Sequence, residues 1–303
     1  MHTLFKTHIL LMLTLYSFGC FSQVLLPPVN LGSTSFVDGM GGPGTLIEES
    51  FVSYSSNKIT DSQGVGISQR SRLDSFSAAT LIAHITHKKI FGAYYGFEML
   101  LPTARVSMDV FEKNKETGLG DASISPLILQ WVNGELFNLP FNHRLNFSFI
   151  VPTGSYDDSK QLNIGNNALS FNPHYAFTLN LSDYSELSMR AHYLWNGKNN
   201  SPNKAKNLRD TQAGQAFHIN IASSYQISGH LKVGLSGYYL KQLNQHEAGG
   251  DVINDSIEQV FAVGPALQYK SSLLTLHANS YFESFAKNRP EGERLIFKIS
   301  KVF

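Results

Sequence analysis

The chain has 303 residues, and its 24 Lys and Arg against 23 Asp and Glu give a formal charge of +1, which offers no general electrostatic case for nucleic acid. Charged residues are only 16% and aromatics 12%, whereas soluble domains carry ~25% charged residues. The single cysteine, Cys20, leaves nothing after it for disulfide or thiolate chemistry, and no later apolar run is long enough for a spanning helix.

At the amino terminus, Lys6 precedes the apolar run Ile9 to Phe18, and small residues follow at Cys20 and Ser22. This pattern predicts a secretory signal peptide over 1–22, cleaved after Ser22. A lipoprotein would carry its lipid on Cys20, but "YSFGC" lacks the aliphatic residue three before the cysteine. Removing Lys6 leaves basic and acidic residues in balance. Residues 23–43 include "LLPPVNLGSTSFVDGMGG", rich in Pro and Gly and without alternation, so they read as loop or extended chain. Placed on the periplasmic side, this segment is long enough to enter a barrel as a plug. It reads equally well as a flexible lead-in.

From residue 44 the pattern changes to a period of two. "RLNFSFIV" sets Leu145, Phe147, Phe149 and Val151 against Arg144, Asn146 and Ser148. "ELSMRAHYLW" sets Leu187, Met189, Ala191, Tyr193 and Trp195 against Glu186, Ser188, Arg190 and His192. "FHINIASSY" and "LLTLHANSYFE" repeat the alternation, which marks strands with one apolar and one polar face. Such strands are expected near 44–55, 75–87, 92–103, 119–132, 142–152, 167–180, 184–195, 212–227, 230–241, 257–270, 272–282 and 293–303. Their connections alternate between short ("HKKI", "LSD", "SG", "KS") and long and polar, for example "TGSYDDSKQLNIGN" and "NGKNNSPNKAKNLRDT".

The fold class expected is all-β, an antiparallel transmembrane β-barrel of about 12 strands over residues 44–303, with short periplasmic turns and long extracellular loops. A soluble β-sandwich shows the same alternation. Strand number, loop asymmetry and the aromatics at strand ends (Tyr54, Trp131, Tyr156, Tyr184, Trp195, Tyr225, Tyr239, Tyr269 and Phe303) favour the barrel in the bacterial outer membrane. In "LIFKISKVF", Leu295, Phe297 and Ile299 face lipid, Lys298 and Ser300 face inward, and the strand closes against the first one. Phe303 is similar to the terminal aromatic by which the barrel-assembly machinery sorts its clients. The partners expected are therefore outer-membrane lipid, that machinery and a small-molecule substrate.

The polar faces then supply the candidate lumen lining: Glu98, Arg144, Asn146, His174, Glu186, Arg190, His192, His218, Asn220, His277, Asn279 and Tyr281, with His84 and Lys232 beside them. Apolar lumen residues are few, namely Tyr94, Ile150, Leu194 and Tyr238. A lumen this narrow, with mixed charges, serves as a selective pore or as a packed, ion-paired interior. His84 and His87 lie three apart on a strand, so they face opposite sides and do not chelate a metal together. Ser188 and His192 share a face, yet four strand residues separate them by about 13 Å, too far for a nucleophile and its base. No nucleophile elbow, phosphate loop or paired-carboxylate motif occurs, so neither catalysis nor a cofactor is expected.

The strings "LPPVNLGSTSFVDG", "GLGDASISPLILQW", "VPTGSY", "LNIGNN", "SFNPHYAFT", "HYLWN", "QAGQAFHIN", "GYYLKQL" and "NRPEGERL" follow in order from about Leu26 to Phe303. Together they resemble the family named for the meta pathway of phenol degradation. The resemblance implies an outer-membrane barrel that transports aromatic or other small hydrophobic molecules, and it carries over no catalytic residue. A polar lining and a hydrophobic substrate pull apart here. The function expected is a channel for passive diffusion of small molecules. The alternative is a closed-lumen structural or adhesive barrel.

Overall fold

The computed structural model describes residues 24–34, 36–68, 71–110 and 112–303. The expected signal peptide lies outside the described residues.

Twelve strands close into an antiparallel barrel. They are β1 (Gly44–Ile59), β2 (Arg72–Ile90), β3 (Ala93–Asp109), β4 (Ala122–Leu136), β5 (Leu139–Val151) and β6 (His174–Asn180). The second half comprises β7 (Ser185–Asn196), β8 (Ala216–Gln226), β9 (Leu231–Gln242), β10 (Gln259–Lys270), β11 (Thr275–Lys287) and β12 (Pro290–Val302). Each pairs with its sequence neighbour, and β12 returns to β1 in a register running from Leu46↔Val302 to Tyr54↔Arg294. Closure leaves no unpaired edge, which is what a sheet crossing lipid requires.

Alternation places the side chains as the sequence suggests along most of the wall. On β12, Leu295, Phe297 and Ile299 are exposed outward, while Lys298 and Ser300 are buried. Phe91, Phe137, Tyr184, Tyr225, Tyr269 and Phe303 stay exposed near the short turns, forming an aromatic rim at that end. Tyr54 departs from the expectation. It points inward, is buried, and donates its hydroxyl to Glu283 at 2.7 Å.

Three expected loops contain more structure than their composition suggests. "ARVSMDVFEKNKETG" is mostly hairpin, because β3 runs on to Asp109 and pairs with a strand at Lys113–Leu119, from Thr103↔Leu119 to Asp109↔Lys113. The long loops between β7 and β8 and between β9 and β10 contribute a small four-stranded sheet from Lys198–Asn199, Thr211–Gln212, His246–Ala248 and Asp251–Ile253. Hairpins beyond the membrane are wet on both faces, so they carry no apolar stripe by which alternation could reveal them. Ahead of β6, Ser170–Phe171 forms a separate short strand, divided from it by Asn172 and Pro173; proline has no N–H to give the ladder.

Candidate lumen site

Residues 24–34 and 36–43 run along the inside of the barrel and hydrogen-bond to β4, β6, β7, β8, β11 and β12. Near the long loops, the Leu26 N–H donates to Glu258 Oε1 at 2.7 Å. At mid-height the Gly32 N–H donates to Asn220 Oδ1 at 2.7 Å, and Tyr281 Oη donates to the Gly32 carbonyl at 2.7 Å. Gly32 has φ 73, and a Cβ there would lie 2.7 Å from the Tyr281 ring, so only glycine fits. Lys298 Nζ reaches the Ser33 carbonyl at 2.6 Å and Glu48 at 3.0 Å. Toward the short turns, the Gly39 N–H donates to Thr178 Oγ1 at 2.8 Å, and Gln130 Nε2 donates to the Gly39 carbonyl at 2.9 Å. These bonds satisfy backbone groups that have no ladder of their own.

Asp38 is the only charged residue from Val24 to Pro43. Its carboxylate accepts from Arg190 Nε at 2.9 Å and from Arg190 Nη2, and it lies 3.9 Å from Arg144 Nη2. Register explains the slot it fills: Arg144 on β5 and Arg190 on β7 both face Ala176 on β6, whose small side chain leaves space between the two guanidinium groups. One row nearer the long loops, Asn146, His174, His192 and His218 stand side by side on β5 to β8. The imidazoles stack, with centroids 4.6 Å apart for His174 and His192 and 4.1 Å apart for His192 and His218. All three are buried, and Nε2 of each has no hydrogen-bond partner.

The other candidates also sit on the inner face. Glu98 accepts from Asn146 Nδ2 at 2.8 Å and Ser125 Oγ at 3.2 Å. Glu186 accepts from Ser188 at 2.6 Å and Ser224 at 2.8 Å. Asn220 and Tyr281 hold the segment as described, Asn279 Nδ2 donates to Tyr281 Oη at 3.0 Å, and His277 lies opposite Lys298 in register. Lys232, His174, His192 and His277 border the cavity. Ile150, Leu194 and Tyr238 are buried inside, whereas Tyr94 sits beneath the Lys89 ammonium at 4.7 Å near a short turn.

Two expectations need correction. His84 faces outward, its Nδ1 2.9 Å from Thr45 Oγ1 and its ring 5.6 Å from exposed Phe97. β2 is apolar on both faces, so alternation around His84 could not tell inside from outside. For the same reason the apolar part of the lining was underestimated. Leu46, Val52, Leu81, Ile85, Leu100, Val106 and Ile128, from β1 to β4, all border the cavity, which measures about 1160 Å³. The lumen is thus mixed: along β1 to β4 these apolar side chains are interspersed with Glu48, Ser50, Ser75, Ser77 and Glu98, while Arg144, Arg190, His174 and His192 border it along β5 to β7.

Several residues of this site escaped the sequence reading, above all Asp38, Gln130, Thr178 and Glu258. The lone acid of an otherwise uncharged segment was a usable signal, since a strand set with inward arginines calls for a counter-ion.

A closed antiparallel barrel of twelve strands, with a polar interior and an aromatic rim, defines an outer-membrane-type β-barrel. The chain belongs to the family described as "Putative MetA-pathway of phenol degradation", whose profile matches residues 56–299. Its fold is that of the COG4313 outer membrane channel from Pseudomonas putida F1, with a TM-score of 0.76 and 15% identity over 87% of this chain and 97% of that one. More distant are a KdgM porin (TM-score 0.44, 13% identity, 85% and 99% covered) and a deletion mutant of the TodX monoaromatic hydrocarbon channel (0.46, 8%, 87% and 91%). No curated protein matches the sequence.

Proposed function

We propose that this protein is an outer-membrane channel for passive diffusion of small molecules with an apolar, aromatic-type body, and that residues 24–43 plug it. The observation that carries the reading is the cavity beside that segment, bordered by apolar side chains such as Leu46, Val52, Leu81, Leu100 and Ile128 as well as by the arginines and histidines. The apolar side chains lower the desolvation barrier for an aromatic solute, while the polar groups keep a water path and fix orientation. The link to aromatic degradation rests on the family's description. No step in this role needs a cofactor or a nucleophile.

A second reading has its own support. The bonds from residues 24–43 to β4, β6, β8, β11 and β12 are those of a filled interior, as in a closed structural barrel. Planar-bilayer recording separates the two. A channel gives small, stable unitary steps as the full chain and larger steps when residues 24–40 are replaced by a short Gly-Ser linker. Silence from both proteins, each folded by heat-modifiable migration, would leave the closed barrel standing.

A further inference from the structure

We propose that Arg144 and Arg190 form a carboxylate-binding subsite, and that Asp38 occupies it as a tethered stand-in for a small solute joining a carboxylate to an apolar body. The inference deepens the channel reading and rests on it for its place in transport. Its core is a mismatch of numbers at one place. Two arginines converge on one carboxylate, which engages Arg190 through two nitrogens and leaves Arg144 at 3.9 Å. Arg144 Nε is buried with no hydrogen-bond partner, so the pair has donors to spare.

The carboxylate is not supplied by the wall. It comes from the segment, at the end of a turn where Val37 takes φ 57. That region is unfavourable for a β-branched side chain, and such strain persists only where surrounding contacts hold it. Here the contacts that hold it are the Asp38 pair, the Asp38 N–H to Ser188 Oγ at 3.3 Å, the Val37 backbone N–H to Glu186 and the Met40 N–H to the Val37 carbonyl at 3.0 Å. One row away, Nε2 of His174 and of His192 lacks a partner while both rings border the cavity. The apolar side chains of Leu81 and Leu100 border the same cavity.

Charge conservation selects the solute class. Withdrawing Asp38 takes away the one carboxylate in contact with two buried guanidinium groups, leaving Glu98 to act on them from farther off, and is unfavourable. A carboxylate that enters as Asp38 leaves replaces one anion by another, so the penalty never arises. A neutral aromatic offers no such exchange, and a cation is repelled by the pair. A bound aromatic acid would therefore both fill the subsite and release the segment at Asp38.

Isothermal titration calorimetry of the detergent-purified full chain with benzoate and with benzyl alcohol tests this directly. Benzoate is expected to bind and benzyl alcohol to give at most weak heat. Asp38→Asn removes the competing charge while keeping the shape, and should tighten benzoate by about tenfold or more, the scale of a lost charge-assisted contact. Arg190→Gln should abolish it. Equal binding of the two probes by the unaltered chain, or benzoate affinity unchanged by Asp38→Asn in a heat-modifiable barrel, would overturn the proposal. The comparison of probes needs no variant, so misfolding cannot shield the idea. If bilayer recordings are silent, the channel reading fails while calorimetry still decides the subsite.

Discussion

Thr45 and Phe303 exchange backbone hydrogen bonds in both directions, the Thr45 N–H to the Phe303 carbonyl at 3.1 Å and the Phe303 N–H to Thr45 at 2.9 Å. The first and last barrel strands are thereby zipped down to the short-turn end, where the Phe303 ring is exposed beneath the Lys301 ammonium at 4.5 Å. Ring and seam can be separated. Phe303→Ser keeps both backbone bonds and removes only an exposed aromatic, so stability in detergent should change by no more than about 0.5 kcal/mol. If the ring is what the assembly machinery reads, the folded fraction in outer-membrane preparations should fall severalfold while refolding into vesicles is unaffected. Equal yields in cells would remove the recognition role.

Gly39 offers a way to move the segment without altering the wall. A Cβ at this position would lie 2.3 Å from the Phe177 carbonyl carbon and the Thr178 nitrogen, both backbone atoms that cannot step aside. Gly39→Val should therefore displace the segment and break its bonds to Thr178 and Gln130, each worth about 1 kcal/mol. The expected readout is a unitary conductance approaching that of the protein with residues 24–40 replaced, from a barrel that still migrates as folded. A variant with unaltered conductance would mean the segment does not limit the path.

The barrel was legible because a strand between lipid and a polar interior must alternate, and β5, β7, β8, β11 and β12 do so cleanly. Inside and outside became ambiguous on β2, where Ile82 faces lipid and Leu81 and Ala83 border the cavity, and His84 was misplaced there. Entry of residues 24–43 into the barrel was one of two readings open from the sequence, and the path itself was not legible. Extended chain without a ladder has no periodicity, and what fixes it is a set of partners scattered from Gln130 to Lys298. Asp38 is the exception that a charge count could have reached, since Arg144 and Arg190 were already expected to point inward.

Glu283 ties the upper wall together and can be tested for its share of stability. Its carboxylate accepts from Tyr54 at 2.7 Å, from Tyr238 at 2.6 Å and from the Gly292 N–H at 3.0 Å. Arg294 lies between the same two rings, 5.3 and 5.6 Å from their centroids. Glu283→Gln preserves volume but removes the charge and turns one acceptor into a donor, so one tyrosine O–H loses its acceptor. A loss of about 2–3 kcal/mol is expected from bonds to a charged acceptor. Tyr54→Phe should cost less, and the double variant should cost less than the two summed, because both remove the same contact. Full additivity in urea titrations of the purified barrel would show that the cluster does not act as a unit.

Asp121 controls the loop that leans over the cavity between β5 and β6. Its Oδ1 accepts from the Gly154 N–H at 2.8 Å, and its Oδ2 accepts from the Asn166 N–H at 2.7 Å and Asn166 Nδ2 at 3.0 Å. The loop thus leaves and returns at one carboxylate, placing Ile164 and Asn166 against the cavity. Farther out, Ser159 donates to Asp157 through its hydroxyl and its backbone N–H, holding that carboxyl below the usual range, and Lys160 pairs with Glu116 at 2.8 Å. Asp121→Ala should free the base and speed tryptic cleavage after Lys160 about tenfold or more, as expected when some 1.5 kcal/mol or more of local closure is lost. Asp121→Asn, which retains one acceptor oxygen, should fall between. Because the loop borders the cavity, cleaved protein should also give noisier unitary currents than intact protein. Unchanged cleavage with Asp121→Ala would show that the loop is held by its tip and that Asp121 is dispensable to its closure.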